Sequence, residues 1–173
     1  YLTGFSGSSA ILVIKQDDMH FVTNDLYEMQ IKQEVYSLKG LITHISRNSI
    51  AEISAKKIFA KVKHLGISPG NMSHAMHTSL MQAFPKVKTI SYGDIVQKVI
   101  MTKMPHEVEH VRSAAKIATK VFNAIIKMIK PGITEADLAA EISYLGRKAG
   151  AEKESFDIIV VSGERSAMPH GRA

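Results

Sequence analysis

The sequence predicts an α/β domain with a mixed sheet, followed by a second unit that opens with helices. Three observations predict it. Short β-rich runs alternate with helical ones from Tyr1 to about Lys103, the pattern of strands laid against helices. From Pro105 onward, apolar residues recur at alternating steps of three and four, the spacing of a long amphipathic helix. Further on, the mostly apolar run 156–161 (FDIIVV) has the pattern of a strand covered on both faces.

In chain order, runs 8–15 (SSAILVIK) and 20–23 (HFVT) read as strands joined by a Gln-Asp-Asp-Met hairpin loop. Residues 25–35 suit a helix, 40–45 (GLITHI) a strand, and 50–60 a second helix. A strand at 62–67 precedes a helix at 73–84, whose Met76, Leu80 and Phe84 share one face, and 87–92 is a further strand. In the second unit Val108, Val111, Ala115, Ala118, Phe122, Ile125 and Ile129 form the predicted buried stripe of a helix begun at Pro105 and stopped by Pro131-Gly132. Thr134-Glu-Ala-Asp137 resembles a capping box, opening a helix that buries Leu138, Ile142, Leu145 and Ala149 and ends at Gly150. A helix pair and one buried strand do not complete a sheet, so strand partners are expected downstream of Ala173. The domains expected are 1–103 and 104–173.

Composition narrows the class. The 173 residues are 45% apolar and 22% charged, with no run of the roughly 18 apolar residues that a membrane span requires. The formal charge of +6 is spread as scattered lysines, without a basic run interleaved with aromatics, so no nucleic-acid partner is expected. The absence of cysteine excludes a disulfide framework and thiolate metal sites and fits the cytoplasm. Position 1 is Tyr, and the natural N-terminus, with any targeting signal, is expected upstream.

Four motifs invite a chemical reading. HEVEH at 106–110 fits the H-E-x-x-H pattern of zinc proteases, in which two histidines a helical turn apart hold the metal and the glutamate is the base. Relative to the predicted stripe, both histidines point away from the apolar face, and Ser113 and Lys116 stand where an extended motif needs Gly and His. His74 and His77 lie on one helix face but lack a third ligand in that helix. The 4–9 stretch GFSGSS lacks the Lys-Ser/Thr of a phosphate loop and precedes a strand, so it reads as a turn. The polar loop that starts at Ser162 and carries Met168-Pro169-His170 follows a buried run, a common place for functional groups.

YLTGFSGSSA at the start and the stretch 130–173, KPGITEADLAAEISYLGRKAGAEKESFDIIVVSGERSAMPHGRA, together resemble the Xaa-Pro aminopeptidase and Xaa-Pro dipeptidase (prolidase) family. The resemblance implies a creatinase-type N-terminal α/β domain, followed by the incomplete start of an α+β "pita-bread" catalytic domain. It also implies a metal-dependent peptidase that cleaves Xaa-Pro bonds at peptide N-termini or in dipeptides, taking substrates with proline in second place. Two divalent metal ions, Mn or Co, and a homodimer are implied for the parent. The family's metal ligands all follow the histidine of its Pro-His motif, which here is His170. None therefore falls on this chain, which is expected to be inactive by itself. Of the family's active-site residues only His170 carries over, as a contact to substrate that stabilises its tetrahedral intermediate. Where the family has Asp-x-Arg-Tyr, this chain has Asn24-Asp25-Leu26-Tyr27, and Leu26 cannot make the polar contacts of that arginine. The same fold also accommodates a creatinase-like C–N hydrolase or a non-catalytic protein-binding module.

Overall fold

A computed structural model describes residues 1–93 and 95–173, which fall into two compact units, Tyr1–Val99 and Ile100–Ala173. In the first, β1 (Ala10–Ile14) runs antiparallel to β2 (Met19–Thr23), and β2 runs parallel to β3 (Leu41–Ile45). The sheet is therefore mixed, with order β1-β2-β3. The β1–β2 turn closes through the Lys15 N–H, which donates to the Asp18 carbonyl at 2.9 Å. Met19 is thus a strand residue and not part of the loop predicted to contain it. Between β2 and β3 lies a short 3₁₀ turn, Asp25–Tyr27, and then α1 (Glu28–Glu34).

Helix α2 (Ser49–Ala55) follows, capped by the Asn48 side chain, which accepts from the Ala51 N–H. It stops five residues earlier than its apolar pattern predicts. Lys57 takes a left-handed conformation (φ 53°), its N–H donates to the Ser54 carbonyl, and that of Ile58 donates to Ile53. That pair of bonds is a Schellman closure. It turns Ile58 and Phe59 inward, where both are buried in the core with Val13, Val22, Ile53 and Leu80. Strand β4 (His64–Ile67), helix α3 (His74–Ala83) and strand β5 (Lys88–Ser91) complete a second ladder, two parallel strands. The expected strands and helices are present, but they pair as two separate ladders among the described residues. One further helix, α4 (Ile95–Met101), was not anticipated by the periodicity.

The second unit is built on α5 (Pro105–Ile125), extended by a 3₁₀ turn at Ile126–Met128, and α6 (Glu135–Lys148). Its core is Val121, Ile125 and Leu138, with Ile117, Ile142, Leu145 and Val160 packed around it. This corrects the predicted stripe of α5. Of the stripe residues only Ile125 is buried, whereas Val111, Phe122 and Ile129 are exposed, Phe122 by 62%. The helix is apolar on two adjoining faces, and α6 takes the face centred on Val121. Phe122 is one residue on, about 100° around the axis. The predicted capping box is present: the Asp137 N–H donates to Thr134 Oγ1 and the Thr134 N–H to Asp137 Oδ2, each at 3.1 Å. Residues 156–161 are a second correction, because they form no strand. A strand exists only through ladder partners, and no described residues offer them.

Candidate functional site

The loop that carries His170 starts at Ser162 and passes through a 3₁₀ turn at Gly163–Ala167. Its anchor is Glu135, the first residue of α6. Glu135 Oε1 accepts the Ser162 backbone N–H at 2.6 Å and the Ser162 hydroxyl at 2.8 Å. Its other oxygen, Oε2, pairs with the Arg165 guanidinium, whose second terminal nitrogen donates to the Arg172 carbonyl. The Ser162 hydroxyl above all, then its N–H and Arg165, hold the Glu135 carboxyl below the usual carboxylate range. Gly171 is buried, and a β-carbon there would stand 2.6 Å from Val161 Cγ1, so the end of the loop lies against its beginning. His170 itself is exposed.

A second network holds the chain beyond α6. Glu154 accepts from the Ser143 hydroxyl and pairs with Arg147 at 3.3 Å, and Arg147 also donates to the Glu152 carbonyl. Beside this segment runs an apolar groove of about 920 Å³, whose walls include Ile117, Phe122, Ile142 and Ile159. His110 also lines the groove while remaining exposed, and His106 is exposed as well. The buried face of α5 is centred on Val121, and eleven residues back along the helix returns close to the same side. The His106 and His110 rings meet edge to face with centroids 6.4 Å apart.

In the first unit His74 and His77 do not converge. His74 Nε2 lies 3.4 Å from the Thr78 hydroxyl, and His77 Nε2 lies 3.2 Å from that of Thr89. A different histidine pair is in contact. His20 on β2 and His44 on β3 stack, with 3.0 Å between His20 Nδ1 and His44 Nε2. Asp18 lies 3.3 Å from His20 and Glu52 lies 3.8 Å from His44. Among the described residues no group of three or more His, Cys, Asp or Glu is placed to hold a metal ion.

Leu26 is 85% exposed, while its neighbour Asp25 pairs with Arg47 at 2.7 Å. Asn24 caps the 3₁₀ turn by accepting from the Leu26 N–H. The Tyr27 ring packs on Phe5, and its hydroxyl lies 2.8 Å from Ser8 Oγ. Gly4 is left-handed (φ 79°), and a β-carbon there would meet the Glu34 carbonyl at 2.6 Å. The 4–9 stretch is a turn leading into β1, tied down where Ser6 donates to Glu34.

The model of the creatinase/prolidase N-terminal domain matches residues 1–100, and that of metallopeptidase family M24 matches residues 109–173. The chain belongs to the creatinase/prolidase family. An uncharacterised peptidase of Bacillus subtilis is 33% identical over the whole chain, and the Xaa-Pro dipeptidase of Pyrococcus furiosus is 29% identical over 98% of it. The chain spans 48% and 47% of these two relatives. The solved X-Pro aminopeptidase of Thermotoga maritima superposes over the whole chain and 49% of its own, with TM-score 0.85 and 32% identity. The Pyrococcus furiosus prolidase gives TM-score 0.81 at 29% identity, over 98% of this chain and 52% of its own. The α/β fold with its mixed sheet is that of the family's N-terminal domain, and the helices after it open the pita-bread domain.

Sequence reasoning found the loop of His170 but not its anchor. Glu135 reads in the sequence as part of a capping motif, and a carboxylate that bonds a partner 30 residues away leaves no local signal.

Proposed function

We propose that the chain supplies the N-terminal domain (1–103) and the opening of the catalytic domain (104–173) of a peptidase that cleaves Xaa-Pro bonds, at peptide N-termini or in dipeptides. The observation that carries this reading is the colinear likeness, across both units, to the X-Pro aminopeptidase of Thermotoga maritima. The domain boundary at 103–104 is supported by Pro105, which opens α5 in the first turn, where a missing N–H costs nothing.

In this reading His170 contacts substrate. A ring N–H directed at the scissile carbonyl stabilises the charge that develops there, while the exposed loop leaves the ring open to a peptide. The metallopeptidase family implies divalent metal in the complete protein, and such metal, when bound, would activate water and polarise the scissile carbonyl. Among the described residues no group of three or more His, Cys, Asp or Glu forms such a centre. The 173 residues alone are accordingly proposed to be inactive. No helix among the described residues is long and apolar enough to cross a membrane. A cytoplasmic homodimer completes the proposal.

The test compares the product of the complete gene with the 173-residue chain on an Xaa-Pro peptide, each with and without Mn²⁺ or Co²⁺. Metal-dependent cleavage by the complete protein and none by the shorter chain is expected. An inactive complete protein would refute the peptidase, and turnover by the 173 residues alone would refute their inactivity.

A further inference from the structure

One carboxylate holds both ends of the His170 loop. Glu135 takes Ser162 on one oxygen, through a backbone N–H and a hydroxyl, and Arg165 on the other. Arg165 then reaches past His170 to the Arg172 carbonyl. The clamp therefore closes on both sides of the histidine, before it at Ser162 and Arg165 and after it at Arg172. Its base is rigid, because Glu135 starts a helix that is capped at Thr134 and buries Leu138 in the core. The Glu135 side chain is 17% exposed and that of Arg165 49%, so the clamp is held at its carboxylate end by a partly buried group and at its guanidinium end in contact with solvent. Bonds from charged donors to a carboxylate are the stronger kind, and the guanidinium fork lets one side chain serve two acceptors.

We propose that Glu135 is a positioning residue, which acts through Arg165 to hold His170 where substrate is met. This rests on the reading of His170 as a substrate contact. Glu135 touches neither substrate nor His170. It sets the conformation of the loop that presents the ring, and a small misplacement of such a group is costly in rate.

The test uses the complete protein with Glu135→Gln and Glu135→Asp. Gln keeps the size and an acceptor for Ser162 but loses the charge that Arg165 requires, whereas Asp keeps the charge. Limited trypsin digestion, read by mass, reports release of the loop as cleavage after Arg165 and Arg172. Digestion there is expected to rise about tenfold in the Gln variant, the size of one lost charged hydrogen bond, with a thermal midpoint lowered by no more than the loss of that one bond. On an Xaa-Pro peptide kcat is expected to fall about tenfold at little-changed KM, since His170 acts in the transition state. Asp is expected to restore both readings in part. Unchanged trypsin sensitivity in the Gln variant overturns the clamp, and unchanged kcat in a loosened loop overturns its positioning role. Should the wild-type protein lack Xaa-Pro activity, the functional reading fails by itself, and the trypsin reading still decides whether Glu135 holds the loop.

Discussion

His44 shows how a buried polar contact becomes a pH dependence. It lies on β3 against His20, with Glu52 of α2 and Lys56, the residue just after that helix, on its other side, and Asp18 and Lys15 stand beyond His20. Burial lowers its pKa most, the nearby His20 and Lys56 lower it further, and Glu52 opposes them. A ring held below its ordinary value is neutral in the folded protein at pH values where the unfolded chain already takes up a proton. Its contribution is therefore complete above the ordinary imidazole value of about 6.5 and is lost as pH falls through the lower folded value. The hydrogen bond between the rings fits this sign, because two imidazolium rings are both donors and cannot bond each other. Thermal melts are expected to show falling stability from about pH 6.5 downward, and His44→Asn, which does not titrate, is expected to flatten that slope. An equal slope in the variant would assign the effect to other groups.

At the scale of elements, the decisive case is α5. Its apolar residues cover two faces, and periodicity locates apolar positions without telling which of them a neighbour will cover. The structure settles the choice at Val121 and Ile125 against Leu138. Leu138→Ala is expected to lower the unfolding free energy of this chain by about 2–5 kcal/mol, whereas Phe122→Ala changes it by less than about 0.5 kcal/mol. Urea denaturation of the two variants separates the faces, and a large loss at Phe122 would contradict the packing. Helix α2 makes a related point. Its pattern continues through Ile58 and Phe59, and these are indeed buried, but in a turn after the helix has closed at Lys57.

Across the molecule, acidic groups in both units are held below their usual range. In the first unit Lys15 does this for Asp18, Arg47 for Asp25, and the Ser6 N–H for Glu34. In the second, hydroxyls of Ser162, Thr134 and Ser143 are the main causes at Glu135, Asp137 and Glu154. Carboxyls with depressed folded values contribute stability that is present above their unfolded values, near about 4, and lost as pH falls through the folded ones. Both units are expected to lose protection against amide hydrogen exchange together as pH drops below about 4, once exchange rates are corrected for intrinsic pH dependence. Loss confined to one unit would show that the acid-sensitive pairs of the other contribute little.

Local chemistry was legible from the residues alone. The alternation of β-rich and helical runs and the cap at Thr134 and Asp137 depend on neighbours within a few positions. So does the family resemblance, which rests on contiguous motifs at both ends of the chain. The tertiary structure decided what depends on partners far apart in sequence. It centred the buried face of α5 on Val121 and Ile125, left residues 156–161 without a ladder, paired His20 with His44, and joined Glu135 to Arg165. Periodicity and capping are properties of a short stretch of backbone, whereas burial and pairing belong to surfaces that exist only once the chain has folded.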